Sequence, residues 1–205
     1  MLHRARFIAA ALALATVVAR PGLAGAAPRD VIQEITDAAL KVLDDPKLDT
    51  ETKRHRLEEI VYTHMDFDTM TRLVLARNLT RFSPEQRDEF TRLFKEHLSL
   101  TYGRSIENYH NEKVVITADR QEPDGDWTVK SKILRGGGDE VLLDYRLRKQ
   151  GDTWKIIDVI VERVSLVSNF RSQFQELMSS GGPEKVLAVL REKNAKREPL
   201  KQSSS

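Results

Sequence analysis

"WKIIDVIVERVSLVSNFRSQF", residues 154–174, decides the fold. Its first half reads as a strand. Ile156, Ile157, Val159, Ile160 and Val161 are β-branched and apolar on both sides, with Asp158 set among them. Its second half reads as a helix, because Leu166, Val167, Phe170 and Phe174 recur at helical spacing and the stripe continues to Leu177 and Met178. A strand that runs straight into an amphipathic helix commits both to one domain. A strand apolar on both sides is expected to be central in its sheet. Ser165 and Ser168, at the join, read as capping residues.

Upstream of this stretch the pattern has period 2. "EKVVITADRQ" and "WTVKSKIL" are joined by "EPDGD", whose DG dipeptide marks a turn. "GGGD" leads into "EVLLDYRLRK", and "QGDT" leads into the strand at 154. In the third strand Val141, Leu143, Tyr145 and Leu147 alternate with Asp144, Arg146 and Arg148. Four strands in a meander, one face wet and one buried, make an antiparallel sheet.

Further upstream the period is 3.6. Val31, Ile32, Ile35, Ala39, Leu40 and Leu43 form one stripe, and a second helix begins at Asp49 with Leu57, Ile60, Val61 and His64. "DFDTMTRLVLARNL" reads as a third helix. "SPEQRDEF" is a strong helix start: Ser83 as N-cap, Pro84 at N1 and Gln86 completing a capping box. The stripe that follows, Phe90, Leu93, Phe94, His97, Leu98, Thr101, Tyr102, Ile106 and Tyr109, predicts a helix through about residue 109. After 178, Gly181–Gly182 stops one helix and Pro183 starts another. The fold class is α+β, with N-terminal and C-terminal helices packed on one face of a curved four-stranded antiparallel sheet.

The first residues do not belong to that domain. Arg4 and Arg6 precede the apolar run "FIAAALALATVV", too short to span a bilayer, and Ala24 and Ala26 occupy an A-x-A site. Residues 1–26 are therefore expected to be a cleaved signal peptide, residues 27–196 the folded domain and residues 197–205 a disordered tail. Removing residues 1–26 takes away three arginines and no acid, turning the formal charge from +2 to −1. Bulk charge then gives no footprint for nucleic acid. Export of this kind places the chain in the periplasm.

No reaction chemistry stands out. There is no cysteine, hence no disulfide, thiolate nucleophile or Cys-type zinc site. His55, His64, His97 and His110 form no H-E-x-x-H pattern, and His97 on an apolar stripe reads as a core histidine. "GGGD" lies between antiparallel strands and is a hairpin loop, not a phosphate cradle. Asp158 remains: an acid on an apolar strand, able to pair with Arg146 or Arg148, or to act as a base in a small pocket enzyme.

The residues around 157–174 resemble the MlaC family, the periplasmic phospholipid-binding proteins also called toluene-tolerance proteins. Ile157, Asp158, Val159, Val161, Glu162, Val164, Ser165, Leu166, Val167, Asn169, Arg171, Gln173 and Phe174 fall in the family's register. "FDTMTRLVLARNLTRFSPEQRDEF", "FKEHLSLTYGRSI" and "GGPEKVLAVL" extend the likeness over about residues 30–195. The chain departs from the family pattern at Ala76 and Arg163, where glycine is usual, at Leu79 for tryptophan and at Phe170 for tyrosine. The Arg163 and Phe170 changes bear on the pocket mouth.

The resemblance implies an NTF2-like fold with an internal apolar pocket, no enzyme activity and no cofactor. It implies a carrier that shuttles phospholipid between an outer-membrane lipoprotein–porin complex and an inner-membrane ABC lipid transporter complex, as a monomer. A related branch suggests a hopanoid as alternative cargo. Two acyl chains expose some thirty methylenes, on the order of 20 kcal/mol against entering water, so the tails must be enclosed. The expected lining is Phe90, Phe94, Leu98, Tyr102, Val129, Ile133, Leu143, Tyr145, Ile156, Val164, Val167 and Phe170.

Overall fold

The computed structural model describes residues 25–103, 109 and 111–200. Residues 1–24 of the expected leader, Ile106 in the long stripe, His110 and residues 201–205 lie outside the described residues. The order is α1 (Pro28–Leu43), α2 (Thr50–His64), α3 (Phe67–Leu75), a 3₁₀ turn (Ala76–Arg81), α4 (Pro84–Tyr102), β1 (Lys113–Gln121), β2 (Trp127–Leu134), β3 (Glu140–Gln150), β4 (Thr153–Val161), β5 (Val164–Ser165) and α5 (Leu166–Lys196).

Local chemistry sets the helix ends. Asp49 accepts from the Thr52 amide and Asp66 from the Thr69 amide, each satisfying an orphan N–H of a first turn. Ser83 and Gln86 form the expected capping box, with Pro84 at the helix start. Gly181 and Gly182 depart from helical angles and break α5, as the Gly-Gly-Pro signal predicts. The third helix stops earlier than its sequence pattern suggests. It ends at Leu75 because Ala76 turns the backbone to φ 46°, ψ −124°.

The sheet is antiparallel throughout, in the order β1-β2-β3-β4-β5. The four expected strands form, and the two-residue β5 adds a fifth at the β4 edge. Strand β4 is therefore not central. Beyond β5's two residues its outer edge meets Met65, which bridges Ile156, and Asp66, whose N–H donates to the Ile156 carbonyl at 2.9 Å.

Two hydrophobic cores result. The helical core joins α3, α4 and α5 through Met70, Val74, Phe82, Phe90, Phe94, Phe170, Phe174, Leu187 and Leu190. Its rings interlock, with centroids at 5.0 Å for Phe90–Phe174, 5.1 Å for Phe94–Phe170 and 5.6 Å for Phe90–Phe94. The second core packs Val31, Ile32 and Ile35 of α1 on Ile116, Val129, Leu147 and Ile156 of the sheet.

Residues 197–200, read from sequence as the start of a polar tail, pack back on the helices. Leu200 is buried, and its N–H donates to His97 Nε2 at 3.3 Å. His97 Nδ1–H in turn donates to Asn194 Oδ1 at 2.9 Å, and Asn194 donates to the Leu93 carbonyl. Among the described residues, no helix is long and apolar enough to cross a membrane.

Candidate functional site

A cavity of about 860 Å³ lies between α1, the end of α2 and the sheet face that α1 covers. Helix α1 contributes Ile35, Thr36, Ala39, Leu40 and Leu43, one stripe at helical spacing. Val61 comes from α2, and Met65 from just past its end. The sheet contributes Val114, Ile133, Tyr145, Ile156 and Val159. These share a face because the ladder pairs Val114 with Ile133 and Tyr145 with Val159, and the register shift that pairs Leu147 with Ile156 returns Ile156 to the same face. Tyr109, Glu112, Arg135 and Gly136 also line the cavity.

The cavity has a closed and an open end. Ile35, Thr36 and Ile156 are buried, and the packed core under α1 seals that side. Val61, Arg135 and Gly136 are exposed and mark the mouth. Tyr109 is tied there to the end of α1, donating its hydroxyl to Asp44 Oδ1 at 2.8 Å.

Burial and that carboxylate push the Tyr109 phenol up to about 12. Burial alone pushes Tyr145 up to about 12, and both stay protonated at physiological pH. Ten of the sixteen described lining residues are Ala, Val, Ile, Leu or Met, so the space favours an apolar occupant. Among the described residues no cluster of three His, Cys, Asp or Glu could hold a metal ion.

Three of the expected lining residues meet in this cavity: Ile133, Tyr145 and Ile156. Val129 lies beside it, fully buried in the core under α1, and Leu143 is half-buried on the strand that carries Tyr145. Phe90, Phe94, Leu98, Val167 and Phe170 are in the filled helical core. Tyr102 ends α4 and is 39% exposed, and Val164 is 56% exposed at the sheet edge. The greasy stripes of α4 and α5 face each other, with their phenylalanine rings in contact.

The stripe that lines the hollow belongs to α1, whose Ala39, Leu40 and Leu43 are only half-buried. A small residue, Ala39, in the middle of an apolar stripe is the signal that sequence reasoning passed over.

The join at 158–167 is structural. The Asp158 carboxylate accepts from Ser165 Oγ and, at 3.0 Å, from the Val167 N–H. Ser165 Oγ accepts from the Ser168 N–H, so strand acid and hydroxyl together cap α5. Arg146 and Arg148 pair instead with Asp126, Arg146 also with Asp124. Asp158 does not line the cavity, and burial raises its pKa.

Arg171 donates to the Leu73 carbonyl at 2.8 Å, tying α5 to the end of α3. Arg163 sits at a hairpin tip and Phe170 in the helical core, so neither departure touches the cavity mouth.

A family model described as MlaC protein matches residues 33–192. The chain belongs to the MlaC family. Members of this family are periplasmic lipid-binding carriers, not enzymes. Toluene tolerance protein ttg2D of Pseudomonas putida is 26% identical to it over 181 residues, covering 84% of this chain and 80% of the relative. The intermembrane phospholipid transport system binding protein MlaC of Haemophilus influenzae is 22% identical over 190 residues, 87% of each. The phospholipid-binding protein from Ralstonia solanacearum, solved in complex with a phospholipid, superposes with a TM-score of 0.76. It is 26% identical, and the match covers 84% of this MlaC-family chain and 99% of that one.

Proposed function

We propose that the chain carries phospholipid across the periplasm, with both acyl chains in the cavity under α1 and the headgroup at the mouth. The observation that carries the reading is the apolar cavity between α1 and the sheet, which lies beside the packed core of Val31, Ile32, Val129 and Leu147. At a water-like share of roughly 30 Å³ per methylene-sized group, 860 Å³ accommodates on the order of thirty groups, about two acyl chains. The likeness to a protein solved with phospholipid supports the same occupant.

In this reading Ile35, Ala39, Leu40, Leu43, Ile133, Tyr145, Ile156 and Val159 hold the tails. Burying them removes the hydrophobic cost of transit, and the protein performs no bond chemistry on its cargo. Export through the leader at 1–26 delivers a monomer that meets an outer-membrane lipoprotein–porin complex on one side and an inner-membrane ABC transporter on the other. Energy for directional movement comes from that transporter.

The test uses delipidated protein incubated with vesicles of labelled phospholipid and re-isolated. Wild type should retain phospholipid at one molecule per chain. An Ala39→Trp variant, which fills the hollow without disturbing the filled core, should retain little. Equal retention by both would place the lipid elsewhere.

A further inference from the structure

Among the described residues that line the cavity, Arg135 is the one cation. It follows Ile133 by two positions at the end of β2, so it leaves the strand on the cavity face. Lys113 and Lys132, the nearby cations on β1 and β2, alternate with the lining residues Val114 and Ile133 and belong to the other face, where Lys132 pairs with Glu140 at 2.9 Å. Among the described residues the Arg135 guanidinium meets no carboxylate and makes no side-chain hydrogen bond.

The backbone holds it in place. The Arg135 N–H donates to the Asp139 carbonyl at 2.9 Å, closing the Gly136–Gly138 loop. Gly137 and Gly138 take φ of 102° and 93°, angles that favour glycine, and a Cβ at any of the three glycines would meet open space. The rim beside Arg135 is thus uncluttered, and the guanidinium stands where an apolar cavity opens to water.

We propose that Arg135 binds the phosphodiester of the cargo and makes the cavity select phosphate-bearing lipids over neutral diacyl lipids. This deepens the carrier reading and rests on it. With the tails inside, the first polar atoms to emerge at the mouth are the glycerol oxygens and the phosphate. A guanidinium offers a planar fork of N–H donors matched to two phosphate oxygens, a bidentate charge-assisted pair.

The experiment compares a phospholipid with a diacylglycerol of the same acyl chains, each displaced from delipidated full-length protein by a fluorescent fatty-acyl probe. Wild type should prefer the phospholipid by about tenfold or more, the scale of a hydrogen bond to a charged group. Arg135→Gln should lose that preference through weaker phospholipid binding, with diacylglycerol binding unchanged. Arg135→Lys should keep part of it. An unchanged preference in Arg135→Gln overturns the assignment while leaving the carrier reading intact. Binding of neither lipid by wild type overturns both. Displacement of the phospholipid by excess inorganic phosphate would make this a free-phosphate site and also overturn the assignment.

Discussion

The N–H of Val167 donates to Oδ1 of Asp158 over 3.0 Å, so an acid on β4 caps the helix that follows it. The other carboxylate oxygen takes the Ser165 hydroxyl, and no oxygen of Asp158 is directed to the cavity. Replacing Asp158 by Ala leaves a buried amide and a hydroxyl unpaired. The expected cost is about 2–3 kcal/mol in urea unfolding, with phospholipid stoichiometry of the folded protein unchanged. Loss of lipid from a still-folded variant would give Asp158 a role in binding.

The two cores predict opposite phenotypes. Phe94→Ala removes a ring from the filled core and should cost about 3–5 kcal/mol while sparing lipid retention below the melting transition. Val159→Trp, in the hollow, should do the reverse and empty the protein of lipid with a smaller stability change. Calorimetry and lipid extraction on the same samples separate the two outcomes.

Backbone strain marks Ala76 and Arg163. Ala76 takes φ 46°, ψ −124°, a conformation that penalises a Cβ, and Arg163 takes φ 69°. Glu162 and Arg163 both have positive φ between the paired residues Val161 and Val164, the arrangement of a two-residue hairpin that favours glycine at its second position. Ala76→Gly should stabilise the protein by about 1 kcal/mol, and Arg163→Gly by about 0.5–1 kcal/mol. Urea midpoints check both, and a fall in either would show the native angle to be unstrained for the residue present.

His97 makes stability depend on pH. Burial lowers its pKa from the ordinary 6.5, and its Nε2 is occupied as an acceptor by the Leu200 N–H. The unfolded chain takes up a proton near 6.5, and the folded chain only at lower pH. The contribution is therefore fully present above about 6.5 and is lost as pH falls towards the folded value, at no more than about 1.4 kcal/mol per pH unit. Urea midpoints between pH 8 and 5 should fall in wild type and fall less in His97→Gln.

Much of this architecture was legible in the sequence because local signals carried it. Asp49, the Ser83–Gln86 box, the Gly181–Gly182–Pro183 break and the alternation of Val141 to Leu147 each specify their own element. The cavity was less legible because hollowness is a relation between elements. Phe94 and Ile133 are equally apolar in sequence, yet one meets three phenylalanine rings and the other an open space. Val129 and Tyr145 pair across the ladder, but Val129 is sealed under α1 and Tyr145 lines the hollow. Strand β4 is next to last in the sheet rather than central, and its outer side is closed by the two-residue β5 and by Met65 and Asp66.

Native mass spectrometry of the protein purified without detergent from its own cell envelope tests the central claim most directly. The account predicts a polypeptide carrying one added mass that extracts into organic solvent as a phospholipid. A bare polypeptide mass that persists after incubation with phospholipid vesicles would contradict it.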